Sequence, residues 1–209
     1  MDIDVDALIG GTAREVVQGE RDGVTTRVVR ATRELDTTVE DLWECVSDPE
    51  RLPRWFLPVT GELRVGGRFQ IEGNAGGTVL ECDPPEHLAV TWESNGGVSW
   101  LDVRLTPVDG GRARLELSHT VPTDAHWDQF GPGAVGMGWE LALMGLVLHT
   151  TTGDAVDGDE VMAWQASPAG LDLMRRSGAG WCEAHIAGGD PADEARAMAD
   201  RCVAAYTGG

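Results

Sequence analysis

One stretch constrains the fold more than any other. Residues 131–153, GPGAVGMGWELALMGLVLHTTTG, open at Pro132, end near Gly153 and are apolar almost all the way round. Such a helix has no polar face to give to water, so other elements must cover it. The covering material precedes it. Between residues 59 and 121 the period changes to two, as in half-buried strands. GELRVGGRFQIEG predicts strand, Gly-Gly turn, strand, with Phe69 and Ile71 on one face. GTVLECDPPEHLAVTWE predicts strand, Pro-Pro turn, strand, with Leu88, Val90 and Trp92 inward. SWLDVRLTPVDGGRARLELSHTV predicts a hairpin about Asp109-Gly110-Gly111. Leu101, Val103 and Leu105 share its inner face with Leu115, Leu117 and His119, whereas Trp100, Asp102, Arg104, Arg114 and Glu116 point outward. One buried rod against one one-sided antiparallel sheet is the economical packing.

The remaining segments frame this layer. TAREVVQGE and VTTRVVRATREL predict two strands turning at Arg21-Asp22-Gly23. In DTTVEDLWECVSD, Thr37 with Glu40 three residues later predicts a capping box and a helix. Asp48-Pro49-Glu50 predicts a second, short helix stopped by Pro53 and Pro58. Beyond residue 153, strand formers give way to alanine-rich helical runs, the last expected to start with Asp190 as cap and Pro191 behind it. Three parts are expected: an N-terminal extension with an edge strand (1–23), a core domain (24–153) and a helical C-terminal extension (154–209). The extension is to dock on the domain or in a dimer through Trp164, Trp181 and Tyr206, which leaves monomer or homodimer open.

Charge narrows the partners. The chain carries 35 acidic residues against 16 basic ones, all of them arginine, for a formal net charge of -19. A surface of this sign repels phosphate backbones and anionic lipid, so nucleic acid and membrane are not expected as partners. The first residues, MDIDVDALIGG, hold neither the basic region nor the apolar run of a signal peptide, and a cytoplasmic location is expected. Cys45, Cys82, Cys182 and Cys202 form no C-x-x-C pair and are expected as reduced thiols.

Several motif blocks, in order, carry a resemblance: TTVEDLWECVSDPERLPRWF, LRVGGRFQIEG, GTVLECDPPEHLAVTW, VRLTPVDGGRARLELSHT and GPGAVGMGWELALMGL. Over roughly residues 24–152 they resemble proteins similar to the activator of heat-shock-protein-90 ATPase, within the START/SRPBCC superfamily. The whole chain is similar to a longer bacterial branch of that group. The resemblance implies an α+β helix-grip fold, a curved antiparallel sheet wrapped around the long helix with a cavity between them. That superfold hosts carriers, cyclases and cochaperones, so it implies a fold more firmly than a function.

On this basis the expected function is binding of a small hydrophobic or aromatic molecule. The pocket is to be lined by Trp55, Phe56, Phe69, Ile71, Trp92, Leu117, His119, Trp139, Leu143 and Met144. An enzyme of cyclase or dehydratase type in the same cavity would need an acid–base pair, for which His119 with Glu81 or Glu140 is available. A bulge near Cys82 would turn Glu81 outward. A cochaperone role is the third reading; the eukaryotic activators use a further N-terminal domain with an Asn/Trp motif, absent from this sequence. No cofactor is expected and no metal site is expected, since His119, Asp124 and His126 match no common zinc spacing.

Overall fold

The structure is a computed structural model that describes residues 3–208. Eight strands form one antiparallel curved sheet in the order β1-β2-β8-β7-β6-β5-β4-β3. They are β1 (Thr12–Arg21), β2 (Val24–Leu35), β3 (Val59–Gly61), β4 (Arg68–Ile71), β5 (Gly76–Asp83), β6 (His87–Ser94), β7 (Gly97–Val108) and β8 (Arg112–Pro122). The helices are α1 (Val5–Gly10), α2 (Val39–Ser47), α3 (Ala125–Phe130), α4 (Gly133–Thr152), α5 (Gly158–Gln165), α6 (Pro168–Ala187) and α7 (Ala192–Thr207). A short 3-10 turn, Leu52–Arg54, follows α2. This is the α+β helix-grip architecture that the resemblance implies.

The chain divides into two compact units. Among the described residues, one contains 3–31, Pro122–Leu141 and 157–208; the other contains Thr32–Val121 and Ala142–Val156. In the first unit the C-terminal helices are an integral layer: α6 packs on β1, α1, α5 and α7, and α7 packs on α3. Trp164 and Trp181 are buried there, while Tyr206 stays partly exposed, its hydroxyl 3.5 Å from the Ala134 carbonyl. Glu140 of α4 is buried in a two-pronged ion pair with Arg14 of β1, the second prong measuring 2.9 Å. A planar guanidinium matches a carboxylate in this way and holds both orientations fixed.

The second unit contains the long meander. Its hairpin register is regular from Trp100↔Thr120 through Val103↔Leu117 to Val108↔Arg112, and β6 continues it from His87↔Arg104 to Ser94↔Gly97. Arg51 ties α2 to the far end of α4. Its guanidinium donates to Asp41 at 3.1 Å, to the Cys45 thiol at 2.9 Å and towards Nε2 of His149 at 3.4 Å. His149 therefore accepts at Nε2, and its Nδ1 donates to the Asp154 carbonyl at 2.6 Å. Hydrogen bonds from Thr37 first, and from Arg51, hold the Asp41 carboxyl below the usual carboxylate range, while burial raises the Cys45 thiol.

The boundaries differ from the sequence expectations in ways that local chemistry explains. The α2 cap is Thr38, which accepts from the Asp41 amide, while the Thr37 hydroxyl donates to the Asp41 carboxylate; the capping pair lies one residue later than Thr37 and Glu40. Asp48 caps a tight turn and no second α-helix forms. The segment after Asp124 is the helix α3, because Asp124 accepts from the amides of His126 and Trp127. Asp190 does not cap α7; its carboxylate is taken by Arg27 at 3.0 Å. In the N-terminal extension, read from the sequence as carrying an edge strand, Val5–Gly10 form α1 with Asp4 as its cap, ahead of the strand β1.

Trp55 follows the 3-10 turn and seats α4. Its indole donates to the Cys45 carbonyl at 2.8 Å, and its own carbonyl lies where a Cβ on Gly145 would approach to 2.4 Å. The backbone of α4 can come this close only because residue 145 has no side chain. Gly→Ala within a helix gains about 1 kcal/mol in propensity, whereas overpacking against a backbone atom costs typically 1–3 kcal/mol. Gly145→Ala is therefore expected to lower the thermal midpoint; a raised midpoint in calorimetry would show that the close approach is not present.

Candidate functional site

The pleat sorts the second unit's residues to two faces, and the apolar one is built row by row. Val79, Val90, Leu101 and His119 stand opposite one another across β5, β6, β7 and β8. Leu88, Val103 and Leu117 form the next row, while Trp92 and Ser99 pair one step along on the other side. Phe69 and Ile71 of β4 and Leu143 and Met144 of α4 are buried in the same unit. Alternation in β6 to β8 requires these positions to share a face, so the sequence expectation of a one-sided apolar sheet is met there.

His119 is the polar exception on that face. It is 3% exposed. The Ser99 hydroxyl donates to the Trp92 carbonyl at 3.1 Å, so the ring's Nε2–H donates to Ser99 Oγ at 2.8 Å. The Trp92 indole meets the imidazole edge-on, with centroids 6.0 Å apart and planes at 67°. Burial disfavours the imidazolium and pushes the pKa of His119 down to about 4, so the ring is neutral at physiological pH. The site joins an apolar floor, a large aromatic wall and one fixed hydrogen-bonding ring. Chemically it offers apolar surface and one imidazole held in a fixed orientation.

The other expected site residues fall as follows. Trp55 and Phe56 are half-buried neighbours, their rings 5.5 Å apart at 30°, with Trp55 already engaged by Cys45. Trp139 is half-buried and belongs to the first unit's stretch of α4. Glu81 does not accompany His119. The register slips between Val79 and Glu81, so that Val79 faces Val90 and Glu81 faces Ala89. That bulge moves Glu81 to the opposite face, where its side chain is 65% exposed beside His87. Glu140 is committed to Arg14. The acid–base pair required for the cyclase or dehydratase expectation is therefore not assembled from either carboxylate. Asp124 is spent as a helix cap, and His126 is exposed with its ring against Phe130.

Ser99 is the residue of the candidate site that sequence reasoning missed. Its signal was present: it shares the parity of Leu101 and Val103, which puts a hydroxyl on the apolar face beside His119. A separate groove of about 280 Å³ opens in this unit between the start of α2 and two hairpin turns, lined by Thr38, Glu40, Glu86, Pro107 and Arg112 among others. Its arginine is held by Glu34 at 2.9 Å, and it contains none of the expected residues.

Comparison with known proteins places this geometry in context. Residues 36–149 match the family model described as activator of Hsp90 ATPase homolog 1-like protein. The solution structure of CalU16 from Micromonospora echinospora is 30% identical, with a TM-score of 0.69, and the match covers 85% of this chain and 96% of that one. EF2215 from Enterococcus faecalis, a conserved protein of unknown function, shares the fold at 16% identity and TM-score 0.60, covering 89% and 96%. The Aha1 dimer from Colwellia psychrerythraea shares it at 12% identity and TM-score 0.50, covering 60% and 97%. No curated protein matches the chain. No helix among the described residues is long and apolar enough to cross a membrane.

The buried imidazole has a measurable consequence. Its folded pKa, about 4, lies below the unfolded value of 6.5, so the unfolded chain takes up the proton first. Its stabilising contribution is complete above pH 6.5, falls as the pH drops from 6.5 towards 4, and is flat below. The loss is on the order of 3 kcal/mol. Urea unfolding between pH 7 and 4 should show wild type losing that much more than His119→Gln; parallel profiles would show that His119 titrates normally.

Proposed function

The chain belongs to the activator of Hsp90 ATPase homolog 1-like family within the SRPBCC superfamily, and from that premise we propose that it binds a small hydrophobic or aromatic molecule. The guest lies between the apolar face of β4–β8 and the second half of α4. One observation carries the reading: a neutral, fully buried His119, positioned by Ser99 and flanked by Trp92, on a face otherwise made of aliphatic and aromatic side chains. A core optimised for stability alone has no use for such a group, because an imidazole gains less from burial than an aliphatic side chain of similar size and costs desolvation. An orienting polar group in an apolar pocket is how small-ligand sites obtain specificity.

Trp92 supplies a flat surface for offset or edge contacts with an aromatic guest. His119, whose Nε2–H is given to Ser99, acts as an acceptor and orients a hydroxyl on the guest. The strong negative charge of the chain disfavours an anionic guest, so the ligand is neutral or cationic. The role is that of a carrier, sensor or sequestering protein. The family name's ATPase activation is not part of this proposal.

The test is a thermal-shift series with neutral aromatic compounds carrying one hydroxyl. A ligand present at a hundred times its Kd adds about 2.7 kcal/mol to native stability. At least one member should raise the melting temperature of wild type, and the shift should shrink in His119→Phe and vanish in Leu117→Trp, which fills the space. A flat response across the series, or equal shifts in wild type and Leu117→Trp, would refute a guest on this face.

A further inference from the structure

We propose that the opposite face of the same sheet holds a divalent transition-metal site of the zinc class, made by Nδ1 of His87 and the carboxylates of Glu81 and Asp83, with Asp102 fixing the imidazole from behind. The proposal does not rest on the ligand-binding reading, since it concerns the outward side of the β5–β6 turn.

Strand register creates the cluster. The bulge after Val79 turns Glu81 outward opposite Ala89, and Asp83 pairs with His87 across the Pro84-Pro85 turn. The terminal atoms converge: Glu81 Oε2 lies 3.6 Å and Asp83 Oδ2 3.9 Å from Nδ1 of His87, and one ligand atom from each residue falls within 4.8 Å of the others. A cation with bonds of about 2.0–2.1 Å to nitrogen and oxygen sets its ligands roughly 3.3 Å apart, a contraction that two exposed carboxylates can supply.

The second observation concerns the imidazole itself. The His87 side chain is deeply buried, with only 8% of it exposed. Its Nε2–H donates to Asp102 Oδ2 at 2.7 Å, and the other Asp102 oxygen takes Nε of Arg104 at 3.1 Å. Asp102 is thus held as an acceptor, which assigns the neutral ring as Nε2–H and leaves the Nδ1 lone pair aimed at two carboxylate oxygens. Among the described residues, no hydrogen-bond donor stands between these three electron-pair donors. A cation suits the space between them. A carboxylate behind a metal-bound imidazole is the usual outer-shell arrangement, fixing the ring's tautomer and raising its basicity. One imidazole with two carboxylates suits zinc and its first-row neighbours over magnesium or calcium, which favour all-oxygen sets. Three protein ligands leave a coordination position open to solvent. The groups facing the ring are Glu81, Asp83 and Asp102, with Arg104 next to Asp102, so the local charge is net negative.

Zinc itself is the probe. Isothermal titration of the full chain at pH 7.5, with chelator competition, should show one equivalent bound. His87→Ala should abolish that binding, and Asp102→Asn should weaken it about 10–100-fold. Glu81→Gln with Asp83→Asn, both on exposed side chains, should also abolish it, and this pair decides the question equally well if His87→Ala does not fold. In the 15N spectrum of the His87 ring, zinc should move Nδ1 and leave Nε2 protonated. Zinc uptake that persists in the variants would overturn the site. So would a His87 ring that stays doubly protonated at pH 7.5 with no zinc taken up, because the cation between the carboxylates would then be only a proton.

Discussion

The placement of both candidate sites follows from the pleat of β6, β7 and β8. The three strands pair in continuous antiparallel register over their shared length, so parity alone assigns each side chain to one face or the other. The two buried histidines of the sheet are sorted by that rule to opposite sides. His119 falls among leucine, valine and tryptophan, is stripped of water and stays neutral. His87 falls among carboxylates and is anchored by one of them. A one-residue slip in β8 would put His119 outside and leave Ser118 or Thr120 in its place.

The supporting structure protects that register. Asp109-Gly110-Gly111 closes the β7–β8 hairpin, with both glycines at positive φ, a conformation side-chain-bearing residues avoid. On the α2 side, Arg51 and Trp55 tie the short helical segment to the end of α4 through His149 and Gly145. In the first unit the Arg14–Glu140 pair fixes the other stretch of α4 to β1. Removing one partner from a buried ion pair of this kind strands the other charge and costs about 3–5 kcal/mol. Each stretch of the helix is therefore held by polar contacts, even though its own sequence is nearly featureless in polarity.

The sequence made the fold readable because its signals were local and repeated. Alternation along Leu101, Val103 and Leu105 and the Gly-Gly turn sufficed for the hairpin, and the apolar rod sufficed for its burial. What sequence alone missed depended on a single unpaired residue or on a distant partner. Leu80 is the extra residue of the β5 bulge; a bulge near Cys82 was an open possibility in the sequence, and only the register shows that it forms and turns Glu81 outward. Glu140 looked available until Arg14, far away in sequence, proved to be its partner. Asp190 had the right neighbours for a helix cap but is drawn off by Arg27. His119 was readable by parity; Ser99, its hydrogen-bond partner, follows from the same parity once the hairpin register is known. His87 attracted no attention because its carboxylates come together only after the bulge and the turn are folded.

The claim at the centre of this account is that the apolar face around His119 is where a guest sits. Side-chain NMR during titration with a ligand that stabilises the protein tests it most directly. The account predicts that the His119 ring and Trp92 indole resonances move together with occupancy, while the His87 ring does not. Movement confined to the groove beside Glu40 and Arg112, with His119 and Trp92 unchanged at saturation, would contradict it.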